Sequence, residues 1–246
     1  MFKGSVSFEA QIKGNGLTFP RTEFDPQVAG VDKVDIEGPD GKELRSAVYF
    51  SSVASPEEAK SLAVRINEAA LDRLAYNHGT VIKNARITSD QFSPINPQPG
   101  GFRVSGAGMV LVTGGASVTL GLDATTVQKE LEQSSPPGER HYGLLRSACQ
   151  SASPVEEFMH MYNIMLMLHD DKQGKLDRFI VAEEPTVRQT QHPEKKPGVM
   201  ETVYTRLRNE FAHKRQGVDL QRTKADMADQ LGGLRTLVKR AIELST

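Results

Sequence analysis

The stretch QSSPPG at residues 133–138 divides the chain into two parts with different patterns. Proline and glycine clusters of this kind interrupt regular structure and are typical of a connecting segment. Before the stretch, apolar and polar residues alternate in short runs. After it, apolar residues recur at helical spacing. The sequence therefore predicts an α+β fold class, with an α+β unit over residues 1–135 and an all-α helical bundle over residues 139–246.

The first unit is expected to be an antiparallel sheet with one packed helix. Residues 6–12 (VSFEAQI) alternate between apolar and polar side chains, as a half-buried strand does. The turn sequence Gly-Pro-Asp-Gly at residues 38–41 lies between two further strand patterns and predicts a hairpin. Strands are also expected over residues 81–87 and within residues 102–122, the latter turning at Gly114–Gly115.

The packed helix of the first unit has a clear start signal. Pro56 follows Ser55, and two glutamates come next, which is the composition of a capped helix start. Apolar residues then recur along one stripe as far as Leu74. A short helix is also expected over residues 123–132, directly before the connecting stretch.

The second unit contains several helix patterns and hardly any strand signal. Ser153 opens a methionine-rich helix over residues 158–168, which is apolar on almost every face and is therefore expected at the centre of the bundle or under a partner. Residues 183–198 hold prolines and charges and predict a long loop. Further helices are expected over residues 200–213 and from a third capping pattern at Thr223.

Composition excludes several classes of protein. The chain has 246 residues with 30 Lys and Arg against 31 Asp and Glu, so it is not a globally basic nucleic-acid coat. No apolar run approaches the roughly 20 residues of a membrane span, and the N-terminus lacks the apolar core of a signal peptide. The single cysteine, Cys149, excludes an internal disulfide framework. A soluble, cytoplasmic protein without membrane association is expected.

A local concentration of basic residues stands out in this nearly neutral chain. Between Arg206 and Lys224 there are six basic and two acidic residues. Such a patch suits a ligand rich in phosphate. Asn209 and His213 are four residues apart on one helix face, and the long Arg208 side chain can reach the same side. Arginine grips phosphate through two bonds, and histidine can move a proton near neutral pH.

The spacing Arg-x4-His is by itself a weak signal. Composition alone predicts about 0.4 such pairs in this chain, and Arg73 with His78 is a second example. Gly79 follows that second pair, so a helix end is the better interpretation there. Requiring Asn directly after Arg lowers the expectation to about 0.01, so the stretch Arg208–His213 (RNEFAH) is the more specific one.

The stretch Arg208–His213 resembles the Arg-Asn-x3-His signature of the HEPN superfamily, and the residues leading into it are most similar to the HEPN-type domains of methylamine-utilisation MauJ-like proteins. HEPN domains are all-α, and many are metal-independent ribonucleases of toxin, phage-defence and RNA-processing systems. The resemblance covers roughly residues 139–246. It implies RNA as the substrate, a 2′,3′-cyclic phosphate as the product, no metal and no cofactor, and a homodimer with two motifs facing one cleft.

The resemblance also implies roles for single residues. Arg208 and His213 match the catalytic pair, and Asn209 matches the polar residue that orients the site. The N-terminal unit, which the resemblance does not cover, is then expected to bind a regulatory ligand or protein. Residues expected to hold RNA lie around the motif on the same stretch: Tyr204, Arg206, Lys214 and Arg215.

Other interpretations of the same residues stay open at this stage. Arg208 and His213 also suit a helix C-terminus, where cations interact favourably with the helix dipole. The bundle can equally be a non-catalytic module that binds RNA, nucleotide or protein, as in an accessory protein of the methylamine-utilisation type. His169-Asp170-Asp171 offers metal-ligand types, but no third ligand is near in sequence, so a metal site is disfavoured.

Overall fold

The computed structural model describes residues 1–95, 119–133, 138–213 and 217–245. The chain forms two compact units, Met1–Pro136 and Pro137–Thr246. The predicted strand turn at Gly114–Gly115 lies outside the described residues. The elements of the first unit are β1 (Phe2–Lys13), β2 (Gly16–Phe24), β3 (Val31–Gly38), β4 (Glu43–Val53), α1 (Pro56–His78), β5 (Val81–Pro94), β6 (Thr119–Gly121) and α2 (Ala124–Glu132).

The strands of the first unit form one six-stranded sheet in the order β5-β1-β4-β3-β2-β6. Strands β1 to β5 pair antiparallel, and all of them except β2 correspond to predicted strands. The sheet as a whole is mixed, because β6 pairs parallel with β2 over residues Gly16–Thr18. The prediction of a purely antiparallel sheet is wrong at this edge. A three-residue strand carries too little pattern for its direction to be inferred from sequence.

The predicted turn and helix start are both confirmed. The β3–β4 hairpin turns at residues 38–41, where Gly41 has φ +75° and the Asp40 carboxylate accepts the backbone N–H of Lys42 at 2.8 Å. Ser55 caps α1 by accepting the N–H of Glu58 at 3.1 Å. Helix α1 ends at Gly79, which adopts a left-handed conformation.

Two helices, rather than one, contribute to the core of the first unit. From α1, the predicted stripe is buried, including Ala63, Ile66 and Leu74. From α2, Val127 and Leu131 join the same apolar cluster, which they share with alternating residues of the strands. The sequence predicted one helix packed on this sheet, whereas two helices, α1 and α2, contribute to its core.

The second unit is helical with a small hairpin. Its chain begins with a 3₁₀ turn at Glu139–His141. The expected all-α bundle is not confirmed, because the stretch predicted as a long loop contributes β7, which pairs antiparallel with β8. The elements are α3 (Tyr142–Cys149), α4 (Pro154–Leu168), α5 (Gln173–Glu183), β7 (Gln189–Gln191), β8 (Met200–Thr202), α6 (Val203–His213) and α7 (Leu220–Leu244).

The helix starts of the second unit agree with the sequence in one case and not in another. Ser153 caps α4 by accepting the N–H of Glu156 at 3.2 Å, as predicted. Helix α7 begins one turn before the predicted start, because Asp219 accepts the N–H of Gln221 at 2.9 Å. Thr223 is instead buried inside α7, and its hydroxyl donates to the carboxylate of Glu210 at 3.0 Å.

Helix α4 is central to the second unit. Phe158, Tyr162 and Met165 are fully buried, which explains its apolar character. Met167 is 43% exposed, so the covering is incomplete near the end of the helix. Among the described residues, no helix combines the length and the apolar character needed to cross a membrane.

Candidate functional site

An open cleft of about 400 Å³ lies beside α6 in the second unit. Three of the residues expected from the sequence, Arg208, Asn209 and His213, line it together. Their convergence follows from helix geometry, since residues four or five apart return to the same side. The other lining residues come from α4, α5, the turn between these two helices and the β7–β8 hairpin, and they are Leu166, Asp171, Gln173, His192, Glu194 and Lys195.

Arg208 and His213 are in direct contact. Nη1 of Arg208 lies 3.1 Å from Nε2 of His213. Because a guanidinium can only donate, Nε2 of His213 is the acceptor of this hydrogen bond. The same Nη1 atom donates to Oδ1 of Asn209 at 3.0 Å. The motif residues thus form one connected group rather than separate side chains at a helix end.

The guanidinium of Arg208 is only partly satisfied. Its Nε atom is buried and has no hydrogen-bond partner among the described residues. The guanidinium carbon lies 5.9 Å from the ring centre of Tyr162, within the range of a cation–π contact. Burial raises the pKa of the Tyr162 phenol, so this ring stays neutral beneath the cation. A buried N–H without an acceptor is unfavourable, so this position of the guanidinium carries an energetic cost.

The amide of Asn209 joins the cleft to residues behind it. Its Oδ1 atom accepts hydrogen bonds from Arg208 and from Nε2 of Gln173, each at 3.0 Å. Its Nδ2 atom donates to Oε2 of Glu201 at 3.2 Å. Asn209 is 4% exposed and Glu201 is 2% exposed, so both polar groups depend on these partners.

The loop between β7 and β8 supplies three residues that line the cleft: His192, Glu194 and Lys195. The side chain of Gln191 braces its loop, accepting the N–H of Gly198 at 2.8 Å and donating to the carbonyl of Lys196 at 3.1 Å. His192 accepts the N–H of Glu194 on Nδ1 at 3.2 Å, which places a proton on Nε2 in the neutral ring. That Nε2 atom lies 3.9 Å from the Glu201 carboxylate.

A single carboxylate holds the start of α6. Oδ1 of Asp177, on α5, accepts the backbone N–H of Thr202 at 3.2 Å and its hydroxyl at 2.8 Å. It also accepts the hydroxyl of Thr205 at 2.7 Å. Thr205 in turn contacts the Tyr162 hydroxyl at 2.9 Å, directly beneath Arg208. Asp177 therefore fixes the beginning of α6 and, through Thr205, the position of the Tyr162 ring that Arg208 contacts.

Replacing Asp177 should destabilise the second unit. The change Asp177→Ala leaves three donors without their acceptor, and hydrogen bonds to a charged group contribute about 1.5–3 kcal/mol each. Because solvent partly compensates, we expect the free energy of unfolding to fall by about 2–4 kcal/mol in urea titrations. Asp229→Ala, at an exposed position of α7, should change it by less than about 0.5 kcal/mol. Equal effects of the two changes would contradict this role for Asp177.

Two residues expected to hold RNA have other partners. Tyr204 is 1% exposed and donates its hydroxyl to the carboxylate of Glu184 at 2.9 Å. Burial and this hydrogen bond raise the pKa of Tyr204. Arg206 donates to Glu210 at 2.7 Å, one helical turn along α6, and is not among the residues lining the cleft. Lys214 and Arg215 lie outside the described residues.

The second Arg-x4-His pair serves the fold of the first unit. Nη1 of Arg73 donates to the carbonyls at the end of α2, including that of Leu131 at 2.8 Å. Nε2 of His78 lies 2.8 Å from the carboxylate of Glu130, also on α2. These contacts join the end of α1 to the end of α2. The interpretation of this pair as a structural helix end agrees with the geometry.

His169 also has a structural environment. Its Nδ1 atom contacts the carbonyl of Met165 at 2.8 Å, and its ring packs at 4.6 Å from that of Phe179. Asp170 pairs with Lys175. Within the described ranges, no group of three or more His, Cys, Asp or Glu side chains is arranged to hold a metal ion.

Sequence reasoning missed the residues that complete the cleft from outside α6. His192 and Lys195 lie in a stretch predicted as a solvated loop, and Glu201 lies on β8, although residues 200–213 were predicted to be helical throughout. The strands that position them are three residues long and begin with the all-polar Gln189–Gln191. Such segments give no alternation signal. Only the tertiary pairing of β7 with β8 brings these residues to the motif.

Searches of protein-family models, of characterised proteins and of solved structures find no match to this chain.

Proposed function

We propose that this chain is a metal-independent endoribonuclease of the HEPN type, with Arg208 and His213 as its catalytic residues. The observation that carries the proposal is the contact of the two side chains in one open cleft, Nη1 to Nε2 at 3.1 Å. Arginine binds phosphate through paired hydrogen bonds and stabilises charge that develops on it. A neutral imidazole with an accessible nitrogen lone pair is a general base.

The reaction moves one proton and exchanges one phosphorus–oxygen bond. His213 takes the proton of a ribose 2′-hydroxyl, and the 2′-oxygen forms a bond to phosphorus. The bond from phosphorus to the 5′-oxygen breaks, and the proton ends on that oxygen. The products are an RNA end with a 2′,3′-cyclic phosphate and an RNA end with a 5′-hydroxyl. Arg208 stabilises the negative charge on the five-coordinate phosphorus between these states.

The resting position of Arg208 supports phosphate as the ligand. Its Nε–H lacks an acceptor, and its Nη1 donates to the nitrogen of His213 that must take the proton. A phosphate oxygen offers a stronger, charged acceptor for both groups. When the guanidinium turns to the phosphate, Nε2 of His213 is released for the 2′-hydroxyl. Lys195, at the edge of the cleft, adds a second cation for the RNA backbone.

The proposal is tested by incubating the purified chain with mixed RNAs in EDTA and analysing the ends of the products. We expect cleavage that leaves 2′,3′-cyclic phosphate and 5′-hydroxyl ends, because the 2′-oxygen is the nucleophile and no divalent cation takes part. A matched RNA with a 2′-deoxy sugar at the cut site should stay intact. Products with 3′-hydroxyl ends, or cleavage only when Mg²⁺ is added, would contradict the proposal.

One observation favours a second candidate, a module that binds RNA or nucleotide without cleaving it. In the structure Nε2 of His213 is already occupied by Arg208. If a bound phosphate leaves that hydrogen bond in place, no base is available and the cleft is a binding site only. In that case the wild-type chain cleaves no RNA, and Arg208→Ala weakens RNA binding about as much as Lys195→Ala does.

A further inference from the structure

The buried carboxylate of Glu201 lies behind the cleft, at the start of the chain that enters α6. Glutamate is seldom fully buried unless it is paired. Buried ionic groups often add little stability over neutral groups of similar size. Fold stability is thus a poor reason for a carboxylate at 2% exposure here. The partners of Glu201 indicate a different reason.

The partners of Asn209 allow its amide only one orientation. An asparagine amide has a donor side and an acceptor side, and their assignment must be inferred from the partners. Arg208 has only donors, so it cannot adapt to a reversed amide, and Oε2 of Glu201 accepts the amide N–H on the other side at 3.2 Å. A reversed amide would set its N–H groups against the guanidinium and its oxygen against the carboxylate. Glu201 accepts from the opposite side of the amide and so holds it in the orientation in which its oxygen faces Arg208.

We propose that Glu201 is a positioning residue of the site. It holds the donor side of the Asn209 amide, so the amide oxygen anchors Nη1 of Arg208 beside His213. This inference rests on the proposed ribonuclease function for its catalytic consequence. It assigns a role to a residue outside the Arg-Asn-x3-His motif, supplied by the last strand of the β7–β8 hairpin.

The hairpin keeps Glu201 in place from the other side. His192 presents Nε2 toward Oε2 of Glu201 at 3.9 Å, and its ring orientation is set by the hydrogen bond from Glu194 to Nδ1. Thr202, the next residue, is fixed by Asp177. The carboxylate is thus held between two ordered segments, as expected of a group that must orient a catalytic side chain closely.

The cleavage test compares Glu201→Leu with Glu201→Gln. Leucine removes the acceptor, whereas the glutamine oxygen can still accept the Asn209 N–H. For Glu201→Leu we expect kcat to fall by about 10²-fold, the effect of a small misplacement of a catalytic group, with KM within about threefold. For Glu201→Gln we expect kcat within about threefold of the wild-type value. For Glu201→Ala we expect the same loss of kcat as for Glu201→Leu, and the smaller alanine side chain excludes a steric effect of leucine.

A matched control separates positioning from general destabilisation. Glu157, on α4, is also buried, at 7% exposure. Its carboxylate pairs with Arg235 and contacts none of the motif residues in the contacts described above. Glu157→Leu should lower the thermal midpoint of unfolding at least as much as Glu201→Leu while leaving kcat within about threefold. Equal losses of kcat in both variants would overturn the proposal.

A second readout needs no cleavage. The side-chain NH₂ of Asn209 should exchange slowly with solvent in the wild-type chain and in Glu201→Gln, and rapidly in Glu201→Leu, as followed by ¹⁵N–¹H NMR. Failure of this inference appears as unchanged exchange or unchanged kcat in the leucine variant. Failure of the ribonuclease proposal gives a different result. The wild-type chain is then inactive, but its Asn209 amide still exchanges slowly, and exchange becomes rapid only in Glu201→Leu.

Discussion

Replacing His213 by alanine should slow RNA cleavage by about 10²–10⁴-fold and leave RNA binding largely intact. Nε2 of this imidazole is the atom that takes the 2′-hydroxyl proton in the proposed reaction, and general acid–base catalysis typically contributes about 10²–10⁴-fold. His213 is exposed at the end of α6, so its removal leaves no buried cavity. We expect kcat to fall within that range while the dissociation constant for an uncleavable 2′-deoxy oligonucleotide changes by less than about threefold.

The control for His213→Ala is His160→Ala. His160 is likewise exposed and in the same unit, on α4, and its Nδ1 contacts the hydroxyl of Ser151 at 3.1 Å. It is not among the residues lining the cleft. Its replacement should leave the rate unchanged. If both variants keep full activity, His213 is not the base; if both lose it, the loss reflects folding, which circular dichroism would show.

The strands and helices of the first unit could largely be predicted from sequence because their signals are local. The alternation in β1, the Gly-Pro-Asp-Gly turn and the Ser55 cap each depend on a few neighbouring residues. Two features were missed there: the strand β2, which no prediction covered, and the direction of β6. A parallel pairing joins segments about a hundred residues apart, and three residues carry no information about it.

Only the part of the candidate site that lies on the single helix α6 could be predicted from the sequence. Arg208, Asn209 and His213 are neighbours because α6 places them so, and helical periodicity is readable from sequence. Which way Tyr204 and Arg206 face is decided by tertiary partners, here Glu184 and Glu210. Sequence spacing alone does not distinguish a basic residue that lines a cleft from one that bridges two helices.

The remaining part of the site depends on contacts between distant segments. Gln173 on α5 and Glu201 on β8 meet at the amide of Asn209, which no pattern in either segment indicates. The capping prediction at Thr223 failed for a related reason. Asp219 is an equally good cap one turn earlier, and Thr223 gains a buried partner in Glu210 when it lies inside α7. Asp219 and Thr223 have similar preferences for the N-cap position, and the buried hydrogen bond of Thr223 with Glu210 favours the helix start at Asp219.

Replacing Arg208 by lysine should remove most of the catalytic effect while keeping the charge. A lysine ammonium is a point charge on a flexible chain and lacks the planar fork that binds two phosphate oxygens. It also lacks the fixed planar geometry by which Nη1 of the guanidinium contacts both Asn209 and His213. Removing one oriented donor from a developing oxyanion lowers kcat by about 10²–10³-fold. We expect Arg208→Lys to lower kcat by about 10²-fold and Arg208→Ala to lower it by about 10³-fold.

Salt dependence separates the charge of Arg208 from its geometry. On single-stranded nucleic acid, each neutralised phosphate contributes about 0.7 to the slope of log affinity against log salt concentration. Arg208→Ala should reduce the slope for RNA binding by about that amount, and Arg208→Lys should leave it unchanged despite its low kcat. Arg240→Lys, at an arginine of α7 paired with Glu183, should change neither quantity. If Arg208→Lys cleaves RNA as fast as the wild-type chain, Arg208 acts as a charge alone, and the paired hydrogen bonds proposed for the phosphate do not form.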